Sequence, residues 1–229
     1  MTVTRWWWLR HAPVRGQAGR LYGDQDVPCD CGDAAVFRAL ARQLPAPAVW
    51  LVTPLSRTRA TAEAITRHLA YPPETFEVEP RFSEQHFGTW QGLTYAELES
   101  RCGAAWKSFW QAPAENTPPG GESFATLSAR VADGIEDLTQ RHAGRDIVCI
   151  AHGGPIRAAL AHALGATPAQ ALAFAVDNCT LTRLDHIAAQ NPDSREQKGG
   201  GWRIALVNAR AHVPGEIAET PVDTTGGTQ

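Results

Sequence analysis

The fold is decided by the stretch Ile147-Val148-Cys149-Ile150-Ala151-His152-Gly153-Gly154-Pro155. Its first five residues form a continuous apolar run, which is typical of a strand that is buried on both faces of a sheet. The glycine pair and Pro155 then indicate the start of a helix, because proline is favoured in the first helical turn. A buried strand that leads directly into a helix predicts a layered α/β fold.

Two earlier segments show the same pattern. Trp6-Trp7-Trp8-Leu9 predicts a buried strand that ends in Arg10-His11, and Val49-Trp50-Leu51-Val52 predicts another. Ser56 is expected to cap a helix that runs to Leu69. The remaining predicted elements are a helix over 33–44, a strand over 76–78, a tryptophan-rich helical stretch after 92, a helix over 122–141 and a final strand pair over 180–184 and 202–207. Strands that alternate with helices predict a largely parallel sheet.

The length of 229 residues suits one domain, and 43% hydrophobic residues are enough for a packed core. We predict a single domain over residues 1–213 and a disordered tail over 214–229. A polar insert over 190–201 joins the last two predicted strands.

Composition argues against several kinds of partner and location. The formal net charge of −3 gives no electrostatic reason to expect nucleic acid or an anionic membrane. The apolar stretch from Trp6 to Leu9 is too short for a signal peptide, and no window reaches the ~18 apolar residues of a spanning helix. We therefore expect a cytoplasmic protein. The sequence does not decide the oligomeric state, and a homodimer is one alternative. Cys29 and Cys31 form a lone C-x-C, which we interpret as loop residues rather than a metal site.

Basic residues follow three of the predicted strands. Arg10 and His11 follow the first, Arg57 lies just past the second, and His152 follows the strand over 147–151. Ligands of open α/β sheets bind at this edge. A structural histidine, a surface ion pair of Arg57 and a solvated Glu84 are the alternative explanations. Arg57 lies in the first turn of a predicted helix, where the positive end of the helix dipole is unfavourable for a cation. This position indicates that an anionic ligand binds beside Arg57.

These residue types suit the transfer of a phosphoryl group. A phosphate monoester carries about two negative charges, which the planar guanidinium groups and the N–H groups of the Gly153–Gly154 helix start can bind. Neutral histidine is a competent nucleophile near neutral pH, because its reference pKa is about 6.5. A carboxylic acid in the pocket would supply the proton that a leaving alkoxide needs.

Five segments occur in the order found in one enzyme family. They are Leu9-Arg10-His11, Thr53-Pro54-Leu55-Ser56-Arg57-Thr58, Ser83-Glu84-Gln85-His86-Phe87-Gly88-Thr89-Trp90-Gln91-Gly92, Pro119-Gly120-Gly121-Glu122-Ser123 and Ala151-His152-Gly153-Gly154-Pro155-Ile156-Arg157. Over about residues 5–184 the chain resembles the histidine phosphatase superfamily, the phosphoglycerate mutase-like group, in its short-lid phosphatase branch. The resemblance implies a three-layer α/β/α sandwich around a mostly parallel, mixed six-stranded sheet.

The resemblance also implies the roles of the site residues. His11 would be the nucleophile, and Glu84 would be the proton donor and later the base that activates water. The predicted catalytic residues are His11, Glu84, His152, Arg10 and Arg57, and the predicted substrate-binding residues are Arg10, Arg57, His152, Gly153, Tyr22, Gly23 and Asn178. The family needs no metal or other cofactor, so none is expected.

Three features depart from the family pattern. Ala12 follows the nucleophile where glycine is usual, and alanine would be strained there if the backbone φ were positive. Gln91 stands where glutamate is common, and the loop after His11 lacks the sequence typical of the mutases. The segment after Gly92 is too short for the lid of a mutase, so we expect water to reach the phosphohistidine.

We therefore predict a metal-independent phosphomonoesterase that acts on a small phosphorylated metabolite through a phosphohistidine. Gly19 to Asp26 is similar to a segment of α-ribazole phosphatases. Trp90, Trp106 and Trp110 either line the pocket or belong to the core. The alternatives are a phosphotransferase of the phosphoglycerate mutase type and a non-catalytic phosphate-binding module. An α/β-hydrolase is excluded, because no G-x-S-x-G segment follows the His-Gly-Gly sequence.

Overall fold

A six-stranded sheet forms the centre of the computed structural model, which describes residues 1–17, 19–189 and 200–212. The strands are β1 Val3–Arg10, β2 Val49–Val52, β3 Glu77–Val78, β4 Asp146–Ala151, β5 Thr180–Ile187 and β6 Gly201–Arg210, in the order β3-β2-β4-β1-β5-β6. The α-helices are α1 Ala34–Gln43, α2 Ser56–Thr66, α3 Tyr95–Phe109, α4 Phe124–Arg141, α5 Gly153–Leu164 and α6 Pro168–Ala171. Strand β5 pairs antiparallel with both of its neighbours, and the other pairings are parallel. The prediction of a mostly parallel, mixed sheet is confirmed.

Both faces of the sheet are covered by helices. Trp6 and Trp8 of β1 pack with helices α4 and α5 on one face, whereas Leu9 packs with α1 and α2 on the other. Strand β4 divides in the same way, because successive side chains of a strand point to opposite faces. The three-layer arrangement is confirmed. Within the described ranges, no helix is long and apolar enough to cross a membrane.

Strands β1 and β4 lie side by side in the middle of the sheet and end at the same level. Arg10 pairs with Ala151 at the end of the ladder, and the His11 N–H donates to the Ala151 carbonyl at 3.0 Å. The residues that follow the two strands, His11 and His152, therefore lie next to each other at one edge. The tail over 214–229 and most of the 190–201 insert lie outside the described residues, so the domain limits stay a prediction.

The start of α2 differs from the prediction. Ser56 is the first residue of the helix, and Leu55 occupies the cap position without a side-chain hydrogen bond. The cap is supplied from a distant loop, because the Asp26 carboxylate accepts from the Ser56 N–H at 2.8 Å and from its hydroxyl at 2.7 Å. The predicted Ser56 cap was wrong because a local sequence pattern does not show that a carboxylate from another loop reaches this position.

Candidate active site

His11 is held by backbone atoms at the end of β1. Its side chain is buried, and its Nδ1 lies 2.7 Å from the Ala12 carbonyl oxygen. A carbonyl oxygen only accepts, so Nδ1 carries the proton and the Nε2 lone pair is available. Burial, and next the positive charge of Arg57, lower the pKa of His11 to about 3. The imidazole is therefore neutral at physiological pH, which is the form that a nucleophile requires.

His152 lies beside it. The two imidazole rings are 5.1 Å apart between centroids, and His152 is completely buried. Its Nε2 lies 2.9 Å from the Thr53 hydroxyl, while its Nδ1 has no hydrogen-bond partner among the described residues. Burial, with the neighbouring His11 and Arg57, lowers the pKa of His152 well below its usual value.

Thr53 is placed to set which His152 nitrogen carries the proton. Its hydroxyl lies 3.2 Å from the Thr58 hydroxyl and 2.9 Å from His152 Nε2, and it has one proton to give. The Thr58 hydroxyl is 2.9 Å from the Leu55 carbonyl, which takes the Thr58 proton. If Thr53 donates to Nε2, the buried Nδ1 of His152 becomes an N–H donor without a protein partner.

Two arginines border the histidine pair. Arg10 Nη1 donates to the Val176 carbonyl at 2.6 Å, and the fully buried Arg57 donates from Nη1 to the Gln25 carbonyl at 2.6 Å and from Nη2 to the Gly23 carbonyl at 2.9 Å. The Nε of each arginine is buried with no partner in the described part of the chain. A buried polar group without a partner costs about 1–3 kcal/mol. Unpaired donors grouped around two neutral histidines indicate a site for an anion.

Glu84 is bound to the N-terminus of α5. Its Oε1 accepts from the Gly154 N–H at 3.1 Å and from the Gln85 N–H at 3.0 Å, and Arg130 Nη2 donates to the Glu84 carbonyl at 3.2 Å. The sequence predicted that the N–H groups of the glycine pair would bind phosphate. The structure corrects this for Gly154, because that N–H is already bonded to the Glu84 carboxylate.

An open cleft of about 420 Å³ lies over this region. Glu84, Tyr22, Gly23 and Gly154 are among the residues that line it, whereas His11 and His152 are buried beside it. The lining also includes the aromatic side chains Phe87, Tyr95, Phe109, Trp110 and Phe124 and the cations Arg20 and Arg157. The cleft thus combines one acid, two cations and a large aromatic surface.

The predicted tryptophan set divides between cleft and core. Trp110 is 55% exposed and lines the cleft, whereas Trp90 is buried in a cluster with Leu98 and Phe109. Trp106 packs edge-on against Trp90, with ring centroids 5.4 Å apart. Tyr22 stands against the Arg57 guanidinium, 5.4 Å from ring centroid to Cζ.

Asn178 and Ala12 make hydrogen bonds that hold the backbone at His11 in place. The Asn178 side-chain amide donates to the His11 carbonyl at 2.7 Å, and Asn178 is not among the residues that line the cleft. The Ala12 N–H donates to the Thr61 hydroxyl at 2.9 Å. The non-glycine residues with positive φ in the described chain are Cys179 and Asn208, so alanine at position 12 is not strained.

Gln91 joins two loops of the cleft. Its side-chain carbonyl accepts from the Asp24 N–H at 3.1 Å and from the Phe87 N–H at 3.2 Å. The Gln91 oxygen and the Gln85 carbonyl lie so close to Gly23 that a side chain there would collide with both, at a residue whose φ is also positive, +49°.

Sequence reasoning missed three residues of the site. They are Arg157, Arg130 and Thr53, for which the sequence predicts no role. Arg157 sits one helical turn after Gly153 on α5, a spacing that predicts a shared face. The contacts of Arg130 and Thr53 join segments that are distant in sequence, so no local sequence pattern predicts them.

Two other features lie outside this site. A larger cavity, of about 690 Å³, is lined by residues that include Thr2, His162, His186 and Trp202, near the opposite end of β1. The Cys29 and Cys31 sulfurs are 3.5 Å apart. In the described part of the chain, no group of three or more His, Cys, Asp or Glu side chains is arranged to hold a metal ion.

The fold and the site together define the class of protein. It is an α/β enzyme with a histidine pair and arginines at the ends of its central strands. The model of the histidine phosphatase superfamily (branch 1) matches residues 6–208, and the chain belongs to that family. It is 29% identical to a metal-independent phosphoserine phosphatase of Arabidopsis thaliana, over 66% of this chain and 64% of that protein. It is 29% identical to a glucosyl-3-phosphoglycerate phosphatase of Mycolicibacterium vanbaalenii, over 95% of this chain and 100% of that protein. The family and its phosphatase relatives support a phosphoric monoester hydrolase.

Solved structures agree with the fold. A mycobacterial glucosyl-3-phosphoglycerate phosphatase superposes with a TM-score of 0.75 at 27% identity, covering 90% of this chain and 99% of that one. The α-ribazole phosphatase from Shigella flexneri superposes with a TM-score of 0.74 at 21% identity, covering 90% of this chain and 97% of that one. The second likeness shows a shared fold and carries no information on substrate.

Proposed function

We propose that this chain is a metal-independent phosphomonoesterase in which His11 carries the phosphoryl group. The observation that supports this most is the state of His11: Nδ1 is bonded to the Ala12 carbonyl, and burial keeps the imidazole neutral. The available Nε2 lone pair stands beside a second neutral histidine and two arginines with unpaired donors. This arrangement suits attack on a bound anion.

In the first half-reaction, Nε2 of His11 attacks phosphorus in line with the ester oxygen. The new N–P bond forms as the P–O bond breaks, and the departing oxygen takes a proton from Glu84. Arg10, Arg57 and the Nδ1–H of His152 would donate to the three equatorial oxygens, where negative charge accumulates. The products are an alcohol and phospho-His11.

In the second half-reaction, the ionised Glu84 takes a proton from a water molecule that attacks the phosphorus. The N–P bond breaks and its electron pair returns to Nε2, so that inorganic phosphate leaves and Glu84 is protonated again. The net reaction consumes one ester and one water and gives one alcohol and one phosphate. Each group ends in the state in which it started.

Turnover of p-nitrophenyl phosphate with acid-quench trapping tests the mechanism. Wild-type protein should hydrolyse the ester with EDTA present, and mass spectrometry should find a phosphate on His11. His11→Gln should lose both signals while it keeps its circular dichroism spectrum. Turnover that needs added zinc or magnesium, or a phosphate trapped on another residue, would contradict the proposal.

A phosphotransferase of the phosphoglycerate mutase type is not favoured, since the relatives support a hydrolase. A phosphate-binding module without catalysis would keep the arginines and show no turnover. Saturable phosphate binding by the wild type, combined with absent phospho-His11 over a broad panel of esters, would favour that module.

For the substrate we propose a small phosphorylated metabolite. The relatives are named for phosphoserine and glucosyl-3-phosphoglycerate, and the open cleft of about 420 Å³ accommodates a ligand of that size. The net charge of −3 supports the absence of a nucleic-acid partner, and we keep a cytoplasmic location and a homodimer as parts of the proposal. Light scattering and localisation of a tagged full-length chain test the last two.

A further inference from the structure

Cys29 and Cys31 are a pair of thiols that phosphoryl transfer does not use. Their sulfurs are 3.5 Å apart, and both cysteines are free. A disulfide bond requires the sulfurs to approach to about 2.05 Å, so a closing movement of about 1.5 Å would join them. Both side chains are half-buried, which leaves them open to a small oxidant.

The two thiols are not equivalent in their chemistry. Burial, and next the hydrogen bond with Cys29, raise the pKa of Cys31 to about 12, so Cys31 is a neutral thiol at physiological pH. Because the thiolate is the form that attacks an oxidant, the first attack falls to Cys29. Cys31, held in contact with it, is the sulfur that then closes the bond.

Cys29 lies directly behind the arginine that we propose binds the phosphoryl group. Its thiol donates to the Arg57 carbonyl at 3.5 Å and lies 3.9 Å from the Thr61 hydroxyl. That hydroxyl accepts from the N–H of Ala12, the residue after the nucleophile. A change at Cys29 is therefore one contact away from Arg57 and two from the backbone at the nucleophile.

The segment around Cys29 is also joined to the loop that follows the nucleophile. Cys29 forms a β-bridge with Val14, and the Arg15 N–H donates to the Pro28 carbonyl at 3.1 Å. Because both connections are made by the backbone, a movement of Cys29 is passed to that loop.

We propose that Cys29 and Cys31 are a reversible oxidation site, at which hydrogen peroxide forms a disulfide that weakens the binding of phosphate by Arg57. The Cys29 thiolate attacks one peroxide oxygen, the O–O bond breaks, and the departing hydroxide takes the proton that the thiol released. The Cys31 sulfur then attacks the sulfur of the Cys29 sulfenic acid, the S–O bond breaks, and this hydroxide takes the Cys31 proton. Two thiols are oxidised and one peroxide is reduced, which gives one disulfide and two water molecules.

The disulfide acts on Arg57 through the proton that it removes. Without its S–H group, Cys29 no longer donates to the Arg57 carbonyl, and its sulfur is drawn towards Cys31. The segment that moves continues into the one whose Gly23 and Gln25 carbonyls accept from the Arg57 guanidinium. Formation of the disulfide is independent of the proposed function, whereas its effect on turnover rests on that function.

Peptide mapping tests the disulfide without reference to activity. Trypsin cleaves after Arg20 and Arg38 and releases residues 21–38 as one peptide that contains both cysteines. After treatment with peroxide and N-ethylmaleimide, this peptide should be lighter than the reduced one by two hydrogen atoms and carry no maleimide. Dithiothreitol should restore both labelling sites. An unoxidised peptide, or one joined to Cys179 of the same apolar cluster, would overturn the inference.

The effect on the site is measured by the binding of inorganic phosphate and by turnover of p-nitrophenyl phosphate. Oxidised wild-type protein should lose about 10- to 100-fold in kcat/KM, as for a misplacement of about 1 Å, and its Kd for phosphate should rise in parallel. The double variant Cys29→Ser, Cys31→Ser should keep its reduced values after peroxide. Cys102→Ser, a change at a half-buried cysteine of α3, is the matched control and should respond like the wild type.

Three further results would overturn the inference. They are a disulfide that leaves phosphate binding and turnover unchanged, inhibition by peroxide that persists in the double variant, and a loss of the circular dichroism spectrum on oxidation. Failure of the proposed function is a separate outcome. The reduced wild-type protein would then hydrolyse no ester and form no phospho-His11, while the peptide map and phosphate binding still decide the inference.

Discussion

The Gly154 N–H donates to Glu84 Oε1 at 3.1 Å, so the first turn of α5 holds a carboxylate and not a phosphate. This contact explains the second glycine after His152, because a Cβ on Gly154 would collide with Glu84 Oε1 and lie 3.1 Å from Leu127 Cδ1. A Cβ on Gly153 meets no atom closer than 3.4 Å. A side chain can therefore be accommodated at Gly153 but not at Gly154.

Gly154→Ala is expected to displace Glu84 and to lower kcat for alkyl phosphates about 10- to 100-fold, less than the full contribution of a general acid of about 100- to 10,000-fold, because the carboxyl group is moved and not removed. Gly153→Ala, the matched control, should cost less in kcat, because its Cβ fits at ordinary contact distance. Steady-state kinetics on glycerol 3-phosphate, with thermal melts of both variants, checks this. Equal losses would show that the Glu84 contact is not the reason for the glycine.

Glu84→Gln should depend on the leaving group. An amide cannot protonate an alkoxide, so we expect a loss of about 100-fold or more on glycerol 3-phosphate. Since p-nitrophenolate leaves without a proton, the first step with p-nitrophenyl phosphate should be nearly unaffected. Single-turnover release of p-nitrophenol measures that step alone. If both esters slow equally in the first step, Glu84 is not the acid.

Thr53→Val should weaken catalysis through His152. The hydroxyl that lies 2.9 Å from Nε2 keeps the His152 proton on Nδ1 when it donates to Nε2. Without that hydroxyl we expect the proton to shift to Nε2, so that Nδ1 no longer donates. We expect kcat/KM for p-nitrophenyl phosphate to fall about 10-fold, the value of one hydrogen bond to a charged group. Nitrogen-15 NMR of the imidazoles should show the change of tautomer.

Thr53→Ser retains the hydroxyl and should restore both the rate and the tautomer. A slow Thr53→Val variant with an unchanged His152 spectrum would mean that Thr53 acts through packing alone.

The buried histidines make stability fall in acid. The pKa of His11 is about 3 in the folded chain and about 6.5 when unfolded. Between these values the unfolded chain binds a proton that the folded chain does not. The stabilisation is therefore complete above pH 6.5 and is lost as the pH falls towards 3, at about 1.4 kcal/mol per pH unit for His11.

Urea unfolding between pH 7 and pH 5 measures this slope. His11→Gln should make the slope shallower by about 1.4 kcal/mol per pH unit. His68→Gln, a change at an exposed histidine after α2, should keep the wild-type slope. Parallel slopes for His11→Gln and the wild type would contradict neutral burial of His11.

The central part of the fold could be predicted because short stretches of the sequence determine its strands. Apolar runs identified β1, β2 and β4, and strand ends placed His11 and His152 together, since parallel strands share one edge. Pairings between distant loops could not be predicted in this way. The Asp26 cap on Ser56 and the Glu84 contact with Gly154 both depend on how separate segments pack, and the φ of Ala12 depends on the same packing.

The two carbonyl groups that Arg57 binds, those of Gly23 and Gln25, have a practical consequence for engineering. The segment that contains them lines one wall of the cleft and is hydrogen-bonded to the Arg57 guanidinium, which we propose binds the phosphoryl group. Replacing that segment with the one from a homologue, in order to change the substrate, would therefore also disturb phosphate binding. Libraries that vary side chains at positions 20–22, while they keep the backbone from Gly23 to Gln25, separate the two properties.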